Sequence, residues 1–580
     1  MRNGTFVLGR FLAVAAIAAT VTLGTLLRFV DPLSSPVIGA EDPYTHMAIV
    51  REHLRTGDLG PLTPEGDVYP PGLHSFLAAV WVFTGADLYE AVRLGPALLG
   101  AIGILGTALL LWRHAGPVAA FVGSLGLAVA PEAIFRTTMM SPTALDLAIL
   151  PFFLYATLEL TRGRLAWAGV AAPLALFQVF AHPWLFAILA ITGAVFAVLA
   201  LLFPRPTSPR DRFASLGVAA AIAIVGSGLG LSLTSCGGMC GPGFVDLFPP
   251  LAGYAWLAWL VILVSIAPLA MVLVRPGAVP RFLVRGRGPP MRLRARVALS
   301  SAIAGLLFLV SWTAYRQGMP EYVDLPRMVG WPLMALAAIA LVGLPFLPSR
   351  LAYLGAAWFA ATLPFVVFNP LHSPFWPHRT VVFLAFGLAV LAGLAAGAVT
   401  RWAHEALSVQ GRRVSTRWGV GRHPWPAVVA ALFVVTACAG TVYAGTPDGY
   451  PGGWYRLYST CELDGLKQVS AVADAAPSAI VVVGSWQSKL VLSGLAQGAD
   501  RIWYADEMYT DAEYREDLVI HMAKEDRPLL VVVDRYLVGE HPEADTGFLR
   551  GSEWEPVGSW CEHQGTGQPR LTLHQSEVGA

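Results

Sequence analysis

Residues 31–71 hold an uncommon group of side chains for a stretch that directly follows an apolar run: Glu41, Asp42, His46, Glu52, Asp58, Glu65 and Asp67. Carboxylates beside an imidazole suit two kinds of chemistry. They take a proton from an attacking hydroxyl or amide, or they hold a divalent cation. The run Glu41-Asp42-Pro43-Tyr44-Thr45-His46 comes soon after the first apolar segment, so its carboxylates sit beside the bilayer, within reach of lipid-borne phosphate. The same residues also spell a helix start, since Asp-Pro ahead of an apolar-periodic stretch caps a first turn. Both readings stand on these residues alone.

A phosphate-bearing substrate would need cations, and arginine suits it because its planar fork pairs with phosphate through two bonds. Candidates are Arg136; Arg316 and Arg327, which flank Glu321; and Arg379, which ends Trp376-Pro377-His378-Arg379. The alternative for each arginine is a guanidinium that snorkels to the membrane interface. His182-Pro183-Trp184 reads as a break between two apolar runs. Trp312, Tyr315, Trp331 and Trp376 read as interfacial anchors.

The elements that must position these groups are set by lipid. Of 580 residues, 55% are hydrophobic and 13% charged, a balance no soluble domain needs to fill its core. A crossing takes about 20 apolar residues, because every backbone polar group must be satisfied within the helix. Runs near 8–30, 93–111, 117–135, 143–160, 165–181, 183–203, 213–233, 251–274, 297–315, 329–347, 350–368, 380–400 and 425–445 meet that length or approach it. The expectation is a polytopic α-helical membrane protein of about 13 spans. The apolar run 73–85 is too short to cross and reads as interfacial.

With Arg2 and Arg10 on the cytoplasmic side, alternate loops hold most of the arginine: Arg113, Arg162 and Arg164, Arg205 to Arg212, seven from Arg275 to Arg296, Arg350, and five from Arg401 to Arg422. That threading puts the first outer loop, residues 31–92, and the C-terminus on the extracytoplasmic side. The first run also has features of a cleaved signal peptide, and cleavage would leave every later orientation unchanged. Residues 1–445 form the membrane part.

Residues 446–580 differ in kind, with 21 Asp and Glu against 10 Lys and Arg and all the lysines of the chain. Helical stretches at 463–474, 487–498 and 512–524 alternate with the β-rich runs 479–483 and 529–533, which predicts a small extracytoplasmic α/β domain. No glycine-rich phosphate loop and no basic patch outside the membrane loops is present, so nucleotide and nucleic-acid binding lack support. Cys461 with Cys561, and Cys236 with Cys240, either pair on an oxidising side or remain free thiols. No inverted repeat of the transporter kind is visible, and the ionisable residues cluster in outer loops, which weighs against a transporter or flippase.

Residues Asp42-Pro43-Tyr44 with His46, then Asp67, Tyr69-Pro70-Pro71-Gly72, Pro96 and Pro131 through Thr138 resemble the first outer loop and following spans of the oligosaccharyltransferase catalytic subunit, within the GT-C superfamily of membrane glycosyltransferases. The likeness extends roughly to Phe203. It implies a polyprenyl-linked sugar donor and a glycan, lipid or protein acceptor. It implies that Asp42 is the catalytic or metal-binding carboxylate, with Mg²⁺ or Mn²⁺ as the ion where there is one. His46 and Asp67 would support it. His378-Arg379 resembles the His/Arg pair of such enzymes, and with Arg136 and Glu321 it would contact substrate. Two family motifs are absent. The second acidic motif is replaced by Ser141-Pro142-Thr143-Ala144-Leu145, with Asp146 one residue late and about 100° around a helix. Trp-Trp-Asp has only Gly484-Ser485-Trp486-Gln487 in its place. These departures point to a GT-C enzyme with another acceptor, the asparagine-directed transferase being the alternative.

Overall fold

The computed structural model describes residues 2–38, 42–57, 71–162, 164–181, scattered positions between 185 and 199, 293–317, 324–347, 349–367, 377–414, 458–496, 501–525, 527–541, 544–562 and 569–576. The expected spans 213–233, 251–274 and 425–445, and the domain boundary near Thr446, lie outside these residues. The chain divides into two compact units. One holds Met1–Val30, Pro96–Thr138 and Pro142–Gly452; the other holds Asp31–Gly95, Met139–Ser141 and Gly453–Ala580.

The first eight helices run α1 (Arg2–Ser34), α2 (Asp42–Thr56), α3 (Pro71–Thr84), α4 (Leu88–Ala115), α5 (Pro117–Val129), α6 (Pro131–Arg136), α7 (Pro142–Leu160) and α8 (Ala168–Ala181). Helices Leu293–Gln317, Trp331–Val342, Arg350–Val367 and Pro377–Val414 follow. Among the described residues five helices are long and apolar enough to cross a membrane: Phe11–Ser34, Leu88–Ala115, Pro142–Leu160, Arg350–Val367 and Thr380–Trp402. The expected span 117–135 is two helices. Ala130, before Pro131, is extended at φ −62 and ψ 121, as the proline ring requires of its predecessor, and the helix restarts with Pro131 in its first turn. The expected span 329–347 is a π-helical turn, Pro326–Gly330, leading into a helix of only 12 residues.

In the membrane unit small residues let backbones meet. A Cβ on Gly123 would lie 2.9 Å from the Ala389 carbonyl, and one on Gly393 would lie 2.5 Å from that of Ala119. Helix α5 therefore lies directly on helix Pro377–Val414, in the manner of small-residue seams between membrane helices. The indole of the buried Trp358 donates to the Phe383 carbonyl at 2.7 Å and joins Arg350–Val367 to the same helix. Inside the first span, Arg28 is fully buried. Its guanidinium donates to Thr137 Oγ1 (2.6 Å), to the carbonyls of Gly24 and Ala128 (both 2.9 Å) and to that of Leu127 (3.2 Å). A buried guanidinium is tolerable when its donors are satisfied, and here they bolt α1 to the end of α5 and the turn after α6.

In the second unit the tail forms a sheet in the order β2-β1-β3-β5-β4, made of β1 (Ile480–Val483), β2 (Ile502–Tyr504), β3 (Leu529–Asp534), β4 (Trp554–Glu562) and β5 (Pro569–Ser576). The first three strands are parallel, and β5 and β4 add antiparallel neighbours. Helices Thr460–Ala475, Trp486–Leu495 and Ala512–Lys524 match the expected stretches. The first opens with a capping box, Ser459 and Glu462 each accepting a bond from the other's backbone N–H. Tyr509, Met508, Leu529 and Val531 sit in the core against Leu537 and Trp554.

Cys461 and Cys561, left open by the sequence, are joined in a disulfide that closes a separation of 100 residues. Tying the first tail helix to β4 restricts the unfolded chain, so Cys461→Ser with Cys561→Ser should cost the unit about 4 kcal/mol. Denaturant unfolding of the full chain, followed with and without a reductant, checks this: the wild type should lose stability on reduction and the double variant should be indifferent to it.

Candidate functional site

Asp42 is half-buried and stands at the first position of α2, where a carboxylate faces the positive end of the helix dipole. His46 lies one turn further along, on the same side of the helix. The linker from the first span is held before it reaches Asp42. Tyr89 Oη donates to the Pro36 carbonyl at 2.6 Å, and Arg93 donates to those of Pro32 (2.6 Å) and Ser35 (3.3 Å) while pairing with Glu90 at 2.6 Å.

Beneath this, His46 Nδ1 and His74 Nε2 are 3.0 Å apart, with both rings buried. One ring donates and the other accepts, so at least one of the two imidazoles is neutral. This bond joins α2 to α3. The sequence reading missed His74. The signal was there, because a lone imidazole in the apolar run 73–85 needs a polar partner once the run is buried. Helix α3, 14 residues long, is too short to cross; it buries Leu73, His74 and Leu77 and exposes Val82 and Phe83 at its far end.

The opposite side of α2 rests on tail helix Trp486–Leu495. A Cβ on Gly494 would lie 2.6 Å from the Tyr44 carbonyl oxygen and 2.9 Å from its Cα, so the two backbones touch. Arg51 donates to the Ala496 carbonyl at 3.0 Å. Burial lowers the pKa of the Arg51 guanidinium, and the charges of Asp474 and Asp87 pull it back up. Lys467 Nζ stands 4.6 Å above the Tyr89 ring. Burial first, and then Tyr89, push the Tyr44 phenol well above its ordinary range, so Tyr44 is a neutral core residue.

The remaining candidates fall elsewhere. Arg136, in the membrane unit, is buried and pairs with Glu132 at 2.8 Å. Its guanidinium also lies 5.2 Å from the Phe135 ring. His378 and Arg379 occupy the first turn of helix Pro377–Val414, with their side chains outside the described set. Asp67 and Glu321 lie outside the described residues. Ser141 is buried, and Asp146 is buried in the first turns of α7. Among the described residues, no three His, Cys, Asp or Glu side chains gather as a metal site would require.

In the tail, Asp534 at the end of β3 accepts from both Ser485 and Ser488 and from the Leu537 N–H at 2.8 Å, and Tyr458 Oη lies 3.1 Å from Ser488 Oγ. The stretch Gly484-Ser485-Trp486-Gln487 is thus a helix N-terminus whose serines are committed to the sheet.

No protein-family model and no curated protein matches the sequence. Solved structures do match it, at 14–15% identity, and the likeness is one of fold. The chain is similar to the oligosaccharyltransferase AglB of the archaeon Archaeoglobus fulgidus, solved with an inhibitory peptide and a dolichol-phosphate: TM-score 0.59, 14% identity, 98% of this chain and 77% of that one covered. It is also similar to the A. fulgidus oligosaccharyltransferase tethered to an acceptor peptide containing the NVT sequon (TM-score 0.56, 14% identity, 90% and 69% covered) and to its complex with zinc and sulfate (0.55, 15%, 89% and 67%).

The contact of α2 with the tail is testable without a substrate. Gly494→Val forces the Tyr44 backbone away and should destabilise the second unit by about 1–3 kcal/mol. His74→Leu removes the imidazole bond between α2 and α3 and should cost a similar amount, about 1–3 kcal/mol. Hydrogen exchange of the α2 amides should rise in both variants, and unchanged protection would show that neither contact holds the helix.

Proposed function

We propose that this chain is an integral membrane glycosyltransferase that moves a sugar or glycan from a polyprenyl-phosphate-type lipid donor to an extracytoplasmic acceptor. One observation carries the reading: in a chain with this fold, the helix that follows the first span begins with a half-buried carboxylate, Asp42, and is itself fixed against α3 and a tail helix. The dolichol-phosphate bound in the AglB structure supports a donor of that class.

In this reading Asp42 takes the proton from the acceptor nucleophile as that atom bonds the anomeric carbon. The bond from that carbon to the lipid phosphate oxygen breaks, and its electron pair leaves with the phosphate. Stabilising the leaving charge is the larger task. Arg379 with His378, and Arg136, are assigned to it. The guanidinium of Arg136 binds Glu132 through Nε at 2.8 Å, which keeps its charge tolerable where it is buried. His46 positions Asp42 from one turn below, Asp67 is a second support, and Glu321 a contact for the acceptor. The tail lies outside the cytoplasm, in keeping with its disulfide.

A second reading is favoured by the neighbours being oligosaccharyltransferases: metal-dependent glycosylation of asparagine. Among the described residues no three metal-ligating side chains gather near Asp42, and Ser141-Pro142-Thr143-Ala144-Leu145 stands where the family's second acidic motif would, so no step here is routed through an ion.

Asp42→Ala should lower transfer from a lipid-linked donor by at least about 100-fold, the lower end of what a positioned acid or base contributes. Radiolabelled sugar transfer in membranes measures it, and wild-type turnover by the variant would remove Asp42 from the chemistry. Adding EDTA to the same assay separates the two readings: full activity supports the first, and loss restored by Mn²⁺ supports the second.

A further inference from the structure

At the end of α4 distant from Glu90, one carboxylate gathers an excess of cations. Glu159 is fully buried, and its two oxygens meet Arg113 Nε at 3.0 Å, Arg162 Nη1 at 2.7 Å and Arg164 Nη1 at 2.8 Å; His114 Nε2 stands 3.8 Å away. The next turn adds Arg350, which donates to the Thr161 carbonyl and to Thr161 Oγ1 at 3.0 Å, and Arg401 donates to the Ala115 carbonyl at 3.3 Å. Three guanidinium groups thus meet a single carboxylate, and two more bond the backbone of Thr161 and Ala115, the neighbours in sequence of Arg162 and His114.

A carboxylate needs only one of them. The three that touch it remain open to the surroundings, at 40%, 38% and 54% side-chain exposure, and each uses one nitrogen of a group that carries five N–H donors. Solvated arginines would be mobile. These are anchored from below by a charge that cannot leave, so their outward donors are already ordered for an anion. The neighbouring helix α5 starts here as well, at Gly116, with no side chain capping its first N–H groups, and that end of its dipole favours negative charge.

The surface leading to this cluster is apolar. Leu98, Ile102, Leu105 and Leu109 are exposed by 54%, 44%, 41% and 47%, and their spacing of four, three and four residues puts them on one stripe of α4. Arg113, four residues beyond Leu109, ends that stripe. An apolar track closing on fixed guanidinium groups has the shape of a lipid: acyl chain along the helix, phosphate at its end.

We propose that Arg113, Arg162 and Arg164, with the α4 stripe, bind an anionic phospholipid of the adjoining leaflet. The arginine distribution along the loops makes that leaflet the cytoplasmic one, so this lipid is separate from the extracytoplasmic donor. A glycerophosphate diester offers two oxygens to the arginine forks. A zwitterionic headgroup would bring its own ammonium against them.

The test uses the full-length protein in nanodiscs of phosphatidylcholine with and without phosphatidylglycerol, with co-purified lipid counted by native mass spectrometry. Wild type should retain phosphatidylglycerol selectively. Arg162→Gln with Arg164→Gln should reduce retention by roughly fivefold per arginine removed, the effect of one basic side chain at an anionic surface. Arg401→Gln, at an exposed residue held by one long hydrogen bond, should give a smaller loss and guards against misfolding of the double variant. Equal retention of the two lipids, or phosphatidylglycerol retention untouched by all three substitutions, overturns the site. Inorganic phosphate is the third arm: if it stabilises the protein in phosphatidylcholine discs as much as phosphatidylglycerol does, the ligand is free phosphate and the lipid assignment fails.

Discussion

The backbone contact between Tyr44 and Gly494 governs the second unit. A helix that begins four residues after the described linker would be marginal in isolation, since short helices lack the bonds to offset nucleation. Contact with a tail helix gives α2 a partner at zero side-chain thickness. Everything asked of Asp42 follows from that placement. Its carboxylate is carried on a helix clamped by Gly494 and Arg51 on one side and by His74 on another, with the linker behind it pinned by Tyr89 and Arg93. A carboxylate on a free loop would lose reach and orientation; here elements distant in sequence share the task of holding the helix that carries Asp42, as the proposed role requires.

How much of this the sequence displayed depends on the length scale of the signal. The tail helices and the strands Ile480–Val483 and Leu529–Asp534 were legible because local periodicity and β-branched runs specify them. Strands β4 and β5 were not, since Pro556 and Gly558 interrupt the first and its register shifts there. The break at Ala130–Pro131 was legible in principle, but hydropathy counts residues and ignores the proline. Asp42 and His46 were visible as residue types at a helix start. The partners His74 and Gly494 were not, because a close approach or a buried hydrogen bond is a property of the fold, and nothing in the neighbourhood of Gly494 announces what will lie against it.

Charges inside the apolar spans teach the same lesson from the other side. Arg28, Glu132, Arg136 and Glu159 interrupt helices that hydropathy alone would keep clean. A charge in hydrocarbon needs partners, so each predicts a contact without naming it. The structure supplies them in three different currencies: carbonyls at a helix end for Arg28, a neighbour one turn away for Glu132 and Arg136, and a cluster of arginines from separate loops for Glu159. Of these contacts, the pairs at spacing three and four, Glu159 with Arg162 and Glu132 with Arg136, were derivable from sequence.

The pairing of Arg136 with Glu132 bears on its assigned role. An isolated buried guanidinium would have bound phosphate strongly but destabilised the unit when the site was empty. With Glu132 beside it the charge is tolerated with the site empty, and on the proposed role a phosphate would meet a group whose net charge is shared. Binding would then be weaker and easier to reverse. A transferase of the proposed kind would gain from that balance, because a contact too strong on the leaving group would hold the product as firmly as it stabilised the transition state. The same reasoning separates Arg136 from the cations at Glu159. There several guanidinium groups share one carboxylate, and the excess positive charge is suited to a ligand that stays.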